Sequence, residues 1–142
     1  MKNIEVLPVE FFCKRSIIQQ IRMEVFVWKQ GVSEELEMDD RDVHCQHYLA
    51  WSDGMPVGTA RLDMGLDGKI GRLAVLESSR GYGVGSKIMK AVHQSACDLG
   101  LKEVWCHAQL SAVGFYQRLG YESHGTMFEE ARIAHIAMRC LL

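Results

Sequence analysis

Apolar residues change their spacing along this chain, and the changes mark out a series of strands and helices. Ile4 to Leu7 is a short strand run. From Val9 to about Phe26, the residues Phe12, Ile17, Ile21 and Val25 fall near a helical period and predict a helix. Gln30 to Asp42 loses that period and turns polar and acidic, a loop with a short helix after Ser33. His47 to Trp51, Met55 to Asp63 and Lys69 to Leu76 read as strands. Asp53-Gly54 and Asp67-Gly68 between them are tight-turn signals, so the three predict an antiparallel meander. Ser86 to Leu99 is an amphipathic helix, with Val84, Ile88, Val92 and Leu99 on one face and Gly100 as its C-terminal cap. Glu103 to Ala108 is the next strand. A strand-helix-strand connection crosses over right-handed, so this strand lies parallel to Lys69–Leu76. A short helix from Ser111 or Ala112 to Leu119 is closed by Gly120, and Tyr121 to Phe128 pairs antiparallel with Ile133 to Cys140. The expected class is α/β, a mixed, mostly antiparallel central sheet flanked by helices.

Composition narrows the function. A chain of 142 residues without repeats or low-complexity linkers suits a single domain spanning 1–142. A net charge of −2 and a pI near 6.3 give no basic stripe for nucleic acid. No run of about 18 apolar residues predicts a membrane span. Met1 to Glu5 lacks the apolar core of a signal peptide. The five cysteines, Cys13, Cys45, Cys97, Cys106 and Cys140, are scattered and odd in number, which fits reduced thiols in the cytoplasm better than a disulfide framework.

The most informative stretch is Arg80-Gly81-Tyr82-Gly83-Val84-Gly85, between a strand and a helix. Glycines at such a turn remove side chains where backbone approaches a ligand. The helix then offers unpaired N–H groups and the positive end of its dipole, which together make an anion site. Arg80 adds a positive charge at its mouth. A Walker A loop requires G-x-x-x-x-G-K-[ST], which the chain lacks, and a Rossmann fingerprint has a different glycine spacing and position.

Arg80-x-x-Gly83-x-Gly85 resembles the R/Q-x-x-G-x-G/A loop of the GNAT superfamily of N-acetyltransferases. Ala112-Val113-Gly114-Phe115-Tyr116-Gln117-Arg118-Leu119-Gly120-Tyr121 resembles that family's A-x-x-F-Y-x-x-x-G-F/Y segment, and Pro56 to Leu62 its third strand. The resemblance spans roughly Val25 to Met138 and implies the acyl-CoA N-acyltransferase fold, with acetyl-CoA as acetyl donor and an amine as acceptor. It implies that Arg80, Gly81, Tyr82, Gly83, Val84, Gly85 and Ser86 cradle the pyrophosphate. The backbone of Leu73, Ala74 and Val75 would hold the thioester oxygen, and Gln109 would bond the pantetheine arm, with Ser111 as an alternative.

Tyr116 stands where the family carries a general acid, and a phenol stays protonated at neutral pH, ready to donate to a departing thiolate. Lys69 to Val75 carries no acid where many relatives place a glutamate, so the base is open among Glu34, Glu35, Glu130, His107 and His135. Phe128 to His135 resembles an F-x-E-x-G-I-x-H segment of small bacterial GNAT proteins, which puts Glu130 and His135 in the acceptor pocket. Arg132 replaces its Gly, so a different turn is expected there. The acidic patch Glu34, Glu35, Glu37, Asp39, Asp40 and Asp42 is either a carboxylate wall for a cationic amine or a solvated loop. His44-Cys45-x-His47 has the wrong alternation for a metal site, and no metal is expected. The acceptor, a small-molecule or peptide amine, is not encoded in the donor loop. A homodimer is a family-level expectation, and a non-catalytic acyl-CoA sensor is the alternative to an enzyme.

Overall fold

The computed structural model describes residues 3–142. Seven strands form one mixed sheet in the order β1-β2-β3-β4-β5-β7-β6. They are β1 (Ile4–Val9), β2 (Gln46–Ser52), β3 (Met55–Asp63), β4 (Lys69–Val75), β5 (Glu103–Gln109), β6 (Glu122–Glu130) and β7 (Ile133–Leu141). The helices are α1 (Phe11–Arg22), α2 (Glu34–Glu37), α3 (Val84–Asp98) and α4 (Val113–Arg118). As the turn signals require, β2, β3 and β4 are an antiparallel meander. Among the described residues, the one parallel pairing is β4 with β5.

Alternation along the central strands feeds two cores. Tyr48 and Ala50 of β2 face α3 with Ile88, Met89 and Val92, while Leu49 between them faces α1 with Ile18 and Ile21. Buried on both sides, β2 and β3 carry near-continuous apolar runs.

Some boundaries differ from the sequence expectation, each for a local reason. The first strand continues to Val9, and α1 starts at Phe11 because the Glu10 carboxylate caps the Cys13 N–H at 3.2 Å. Phe12, placed on the apolar face by its spacing, is 63% exposed, and Phe11 is buried instead. After Arg22 the helix widens into a π-helical turn, Met23–Trp28. α3 begins at Val84, directly after Gly83 in the left-handed region. Among the described residues, no helix is long and apolar enough to cross a membrane.

Gly58 on β3 sits where α3 presses closest to the sheet. A Cβ there would lie 2.8 Å from Ile88 Cδ1 and 3.1 Å from the Ala74 carbonyl oxygen. Gly58→Ala is therefore expected to overpack this contact and destabilise the fold by about 1–3 kcal/mol, read as a lower urea midpoint at unchanged slope.

Candidate active site

β4 and β5 share one ladder pair, Lys69 with Trp105, and then part. A bulge on the other side of β4 accompanies the parting. Arg72 and Leu73 stand opposite the single residue Ala60 of β3, and Arg72 takes a positive φ of 53°. Such a bulge bends the strand and sharpens its twist. The opened gap becomes a cleft of about 980 Å³, walled by Gly71 to Val75 on one side and by His107 and Gln109 on the other.

At the far end of β4 lies the glycine loop. Gly81 and Gly83 have φ of 85° and 79°, which a side chain rarely tolerates. Gly83 precedes the first turn of α3, and no side-chain cap covers that turn. Its N–H groups are open to an anion. At Gly85 the space is tight instead, since a Cβ would lie 3.2 Å from Phe115 Cζ. Arg80 donates from Nε to the Val75 carbonyl at 3.1 Å and so straps the loop to β4. Leu73, Ala74, Val75, Arg80, Gly81, Gly83, Val84, Gly85 and Ser86 all line the cleft. The Tyr82 side chain, expected among them, is 53% exposed and outside the lining.

Tyr116, on α4, reaches the cleft while only 8% exposed. Its ring meets Phe115 and Tyr121 edge-on at 5.1 and 5.3 Å. Burial, with the Cys106 thiol nearby, pushes its phenol well above the usual tyrosine range. Behind it, the Tyr121 hydroxyl lies 2.6 Å from His93 Nε2.

Three of the base candidates converge in the cleft. Glu130 Oε1 lies 3.1 Å from His107 Nδ1, and its Oε2 lies 3.7 Å from His135 Nε2. His135 Nδ1 is 2.7 Å from the Ile133 carbonyl. A carbonyl only accepts, so Nδ1 carries a proton and Nε2 faces Glu130. Glu34 and Glu35 lie outside the cleft lining. The turn that presents Glu130 corrects the expectation drawn from Arg132. Ala131 and Arg132 have φ of 51° and 65°, the left-handed pair of a type I′ hairpin. The glycine-type geometry is kept, with a side chain bearing the strain.

Gln109 lines the cleft, but its Nε2 donates to Gln30 Oε1 at 2.8 Å, across to the segment after the π-helical turn. Ser111 lines the cleft as well.

The acidic segment divides: Glu34, Glu35 and Asp40 are solvent-exposed, Glu37 and Asp39 line the cleft, and the inner carboxylates are held by arginines that neither expectation included. Glu37 and Asp42 are 3% and 4% exposed and belong to an internal charge network. Arg22, itself 1% exposed, pairs with Glu37 at 2.7 Å and with Asp42 at 2.8 Å. Arg61 bridges Asp42 and Asp39 at 2.8 and 2.7 Å. Arg72 joins Glu37 and Asp39 at 3.2 and 3.1 Å, and Arg41 holds Asp63 at 2.7 Å. Burial pushes the Asp39 carboxyl up, but the Arg61 hydrogen bonds and charge, with Arg72, overcome this and hold it down at about 2. Burial wins at Glu37, whose carboxyl is raised despite Arg72 and Arg22. Sequence reasoning missed this network. The available signal was Arg22 itself, a charge placed one turn after Ile18 on the buried face of α1.

His47 is also structural: its Nε2 lies 2.8 Å from the Asp42 carbonyl and its ring stacks on Phe11 at 4.6 Å. Among the described residues, no group of three or more His, Cys, Asp or Glu is arranged to hold a metal.

Residues 14–142 match the family model of the acetyltransferase (GNAT) domain. The chain belongs to the GNAT family. It is 38% identical over 139 residues to YjcF of Bacillus subtilis, an uncharacterized N-acetyltransferase, covering 96% of this chain and 94% of that one. It is 32% identical over 125 residues to ElaA of Escherichia coli, covering 84% and 82%. The crystal structure of ElaA superposes with a TM-score of 0.85 at 27% identity, covering 97% and 99% of the chains. An acyl-CoA N-acyltransferase from Pseudomonas aeruginosa gives 0.84 at 27%, covering 96% and 99%. This GNAT protein thus has the family's mixed, mostly antiparallel sheet, and membership supports acyl transfer as its activity.

Two predictions follow from the site's framework. Asp39 is depressed in the folded state, so its stabilisation is present above the unfolded carboxylate pKa and is lost as pH falls toward about 2. Between pH 5 and pH 3, wild type is expected to lose about 1 kcal/mol more unfolding free energy than Asp39→Asn in urea titrations. Arg132→Gly relieves a left-handed side chain and is expected to stabilise the fold by about 1 kcal/mol, read as a raised thermal midpoint.

Proposed function

We propose that this protein transfers the acetyl group of acetyl-CoA to a primary amine by direct attack within a ternary complex. The observation that carries this is that one cleft gathers three groups. An uncapped helix start with a glycine loop, an acid-histidine cluster and a buried phenol all line it. The first suits a pyrophosphate, the second a proton acceptor, and the third a proton donor.

In this scheme the loop from Arg80 to Ser86 takes the pyrophosphate on backbone N–H groups, and Gln109 or Ser111 meets the pantetheine arm. Gln109 would exchange its bond to Gln30 for one to the arm. The thioester lies along Leu73 to Val75, where β5 has left the edge of β4 and backbone groups can polarise the carbonyl. Glu130, tied to His107 and His135, takes a proton from the incoming ammonium. The amine lone pair attacks the thioester carbon, the C–S bond breaks, the thiolate takes the Tyr116 proton, and the extra proton on the new amide nitrogen returns to the phenolate. Burial keeps that phenol protonated throughout the neutral range. The Glu130 cluster supplies the base that β4 lacks, which favours an enzyme over a sensor that only binds acyl-CoA.

A thiol-release assay with acetyl-CoA against an amine panel, run beside calorimetric titration of CoA, tests this. Protein-only controls are needed because the chain carries five cysteines. Tyr116→Phe is expected to lower kcat by about 100-fold or more while the CoA Kd stays within about twofold. Failure of the folded protein to bind CoA would remove the assignment of the Arg80–Ser86 loop. Unchanged kcat in the variant, with chemistry rate-limiting, would remove Tyr116 from proton donation.

A further inference from the structure

The charges at the acceptor end of the cleft are unevenly partnered. Four arginines, Arg22, Arg41, Arg61 and Arg72, are matched by four carboxylates, Glu37, Asp39, Asp42 and Asp63. Those eight groups cancel, and Glu34, Glu35 and Asp40 lie outside the lining, so the acids of this network bring no net negative charge to the cleft. Lys69 differs. It lines the same cleft, half-buried, and its ammonium rests 5.2 Å over the Trp105 ring rather than on a carboxylate. Burial lowers its pKa, with the Glu130 charge partly opposing, as expected for a cation held away from water. Glu130 turns its oxygens to His107 and His135.

The ladder orders these groups. Lys69 and Trp105 form the apex where β4 and β5 still pair. His107, bonded to Glu130, is two residues further along β5 on the face of Trp105, and Leu73 to Val75 lie further along β4. From the apex outward the cleft therefore presents a cation, then the acid-histidine cluster, then the strand edge assigned to the thioester. A diamine or polyamine would drive its second positive charge against Lys69. A molecule with one amine and one anion matches both groups.

Resting on the transfer activity proposed above, we propose that the acceptor is a small primary amine that also carries an anionic group, a carboxylate or phosphate, and that Lys69 receives the anion. The amine is then held at Glu130, one step from the thioester. Lys69 acts here as a specificity residue, outside the proton transfers.

The test uses matched acceptors: amino acids of increasing amine-to-carboxylate spacing against their amides, and phosphoethanolamine against ethanolamine. Wild type is expected to favour the anionic member of at least one pair by about tenfold or more in kcat/KM, and that pair identifies the anion as carboxylate or phosphate. Lys69→Met is expected to cut this ratio about tenfold, through KM, and Lys69→Arg to restore most of it. Equal or better turnover of the neutral members, or a ratio untouched by Lys69→Met, overturns the proposal and leaves the transferase standing. Calorimetry of the same acceptors on CoA-loaded protein separates the remaining failure. Thiol release from no acceptor at all would sink the transferase assignment, while Lys69-dependent binding of the anionic member would still uphold the anion subsite. Absence of both would overturn each.

Discussion

Every feature of the cleft depends on β4 leaving β5 after one ladder pair. Parallel strands left in register would close the gap with backbone hydrogen bonds. The Arg72 bulge keeps them apart, and a positive φ on an arginine costs on the order of 1–2 kcal/mol that must be offset nearby. The offset is visible in what its guanidinium holds. It donates to the carbonyls of Leu36 and Glu37 and pairs with Glu37 and Asp39. The strained strand and the segment that covers the acceptor end are thus fastened by the same side chain.

That fastening explains why so much charge is buried. An isolated interior ion is expensive, and removing one member of a buried pair costs about 3–5 kcal/mol. Here Arg22 on α1, Arg61 on β3 and Arg72 on β4 converge on Glu37, Asp39 and Asp42. An apolar cluster of the same volume would bind these elements without fixing their register. Directional guanidinium-carboxylate bonds hold α2 and the following loop at one position over the cleft. The carboxylates spent in this way are paired with arginines, and the proposed scheme therefore leaves the polarity of the acceptor end to Lys69 and Glu130.

The strand meander, the right-handed crossover and the glycine loop were legible because each rests on short-range chemistry: Asp-Gly turns, one apolar face and glycine at positive φ. The F-Y segment carried enough pattern to place Tyr116, and the resemblance around Glu130 and His135 placed two residues that the fold brings together. Partnerships across the chain were not legible. Nothing local in Glu37 or Asp42 says that an arginine 15 or 20 residues earlier will take them inside. The bulge at Arg72 hid for the same reason, since its support comes from Leu36, Glu37 and Asp39 rather than from its own neighbours. Arg132 misled because a missing glycine was read as a different turn, whereas hairpin pairing imposes the left-handed pair on the residues present. Lys69 stood unremarked in a strand, and only its pairing with Trp105 where the two strands part places it in the cleft.

Burial of Tyr116 makes the phenol a weaker acid, which taken alone opposes its proposed role. What matters is the difference between donor and acceptor at the moment of transfer. A thiolate released beside Tyr116 would sit in the same apolar surroundings, framed by Phe115 and Tyr121, and would be raised in energy by the same loss of water. Desolvation penalises both anions, so it largely cancels from the proton transfer between them. It does not cancel from escape of the bare thiolate, which becomes costlier. A dry setting therefore holds the proton on the phenol until the thiolate forms, and then makes protonation the thiolate's easiest way out.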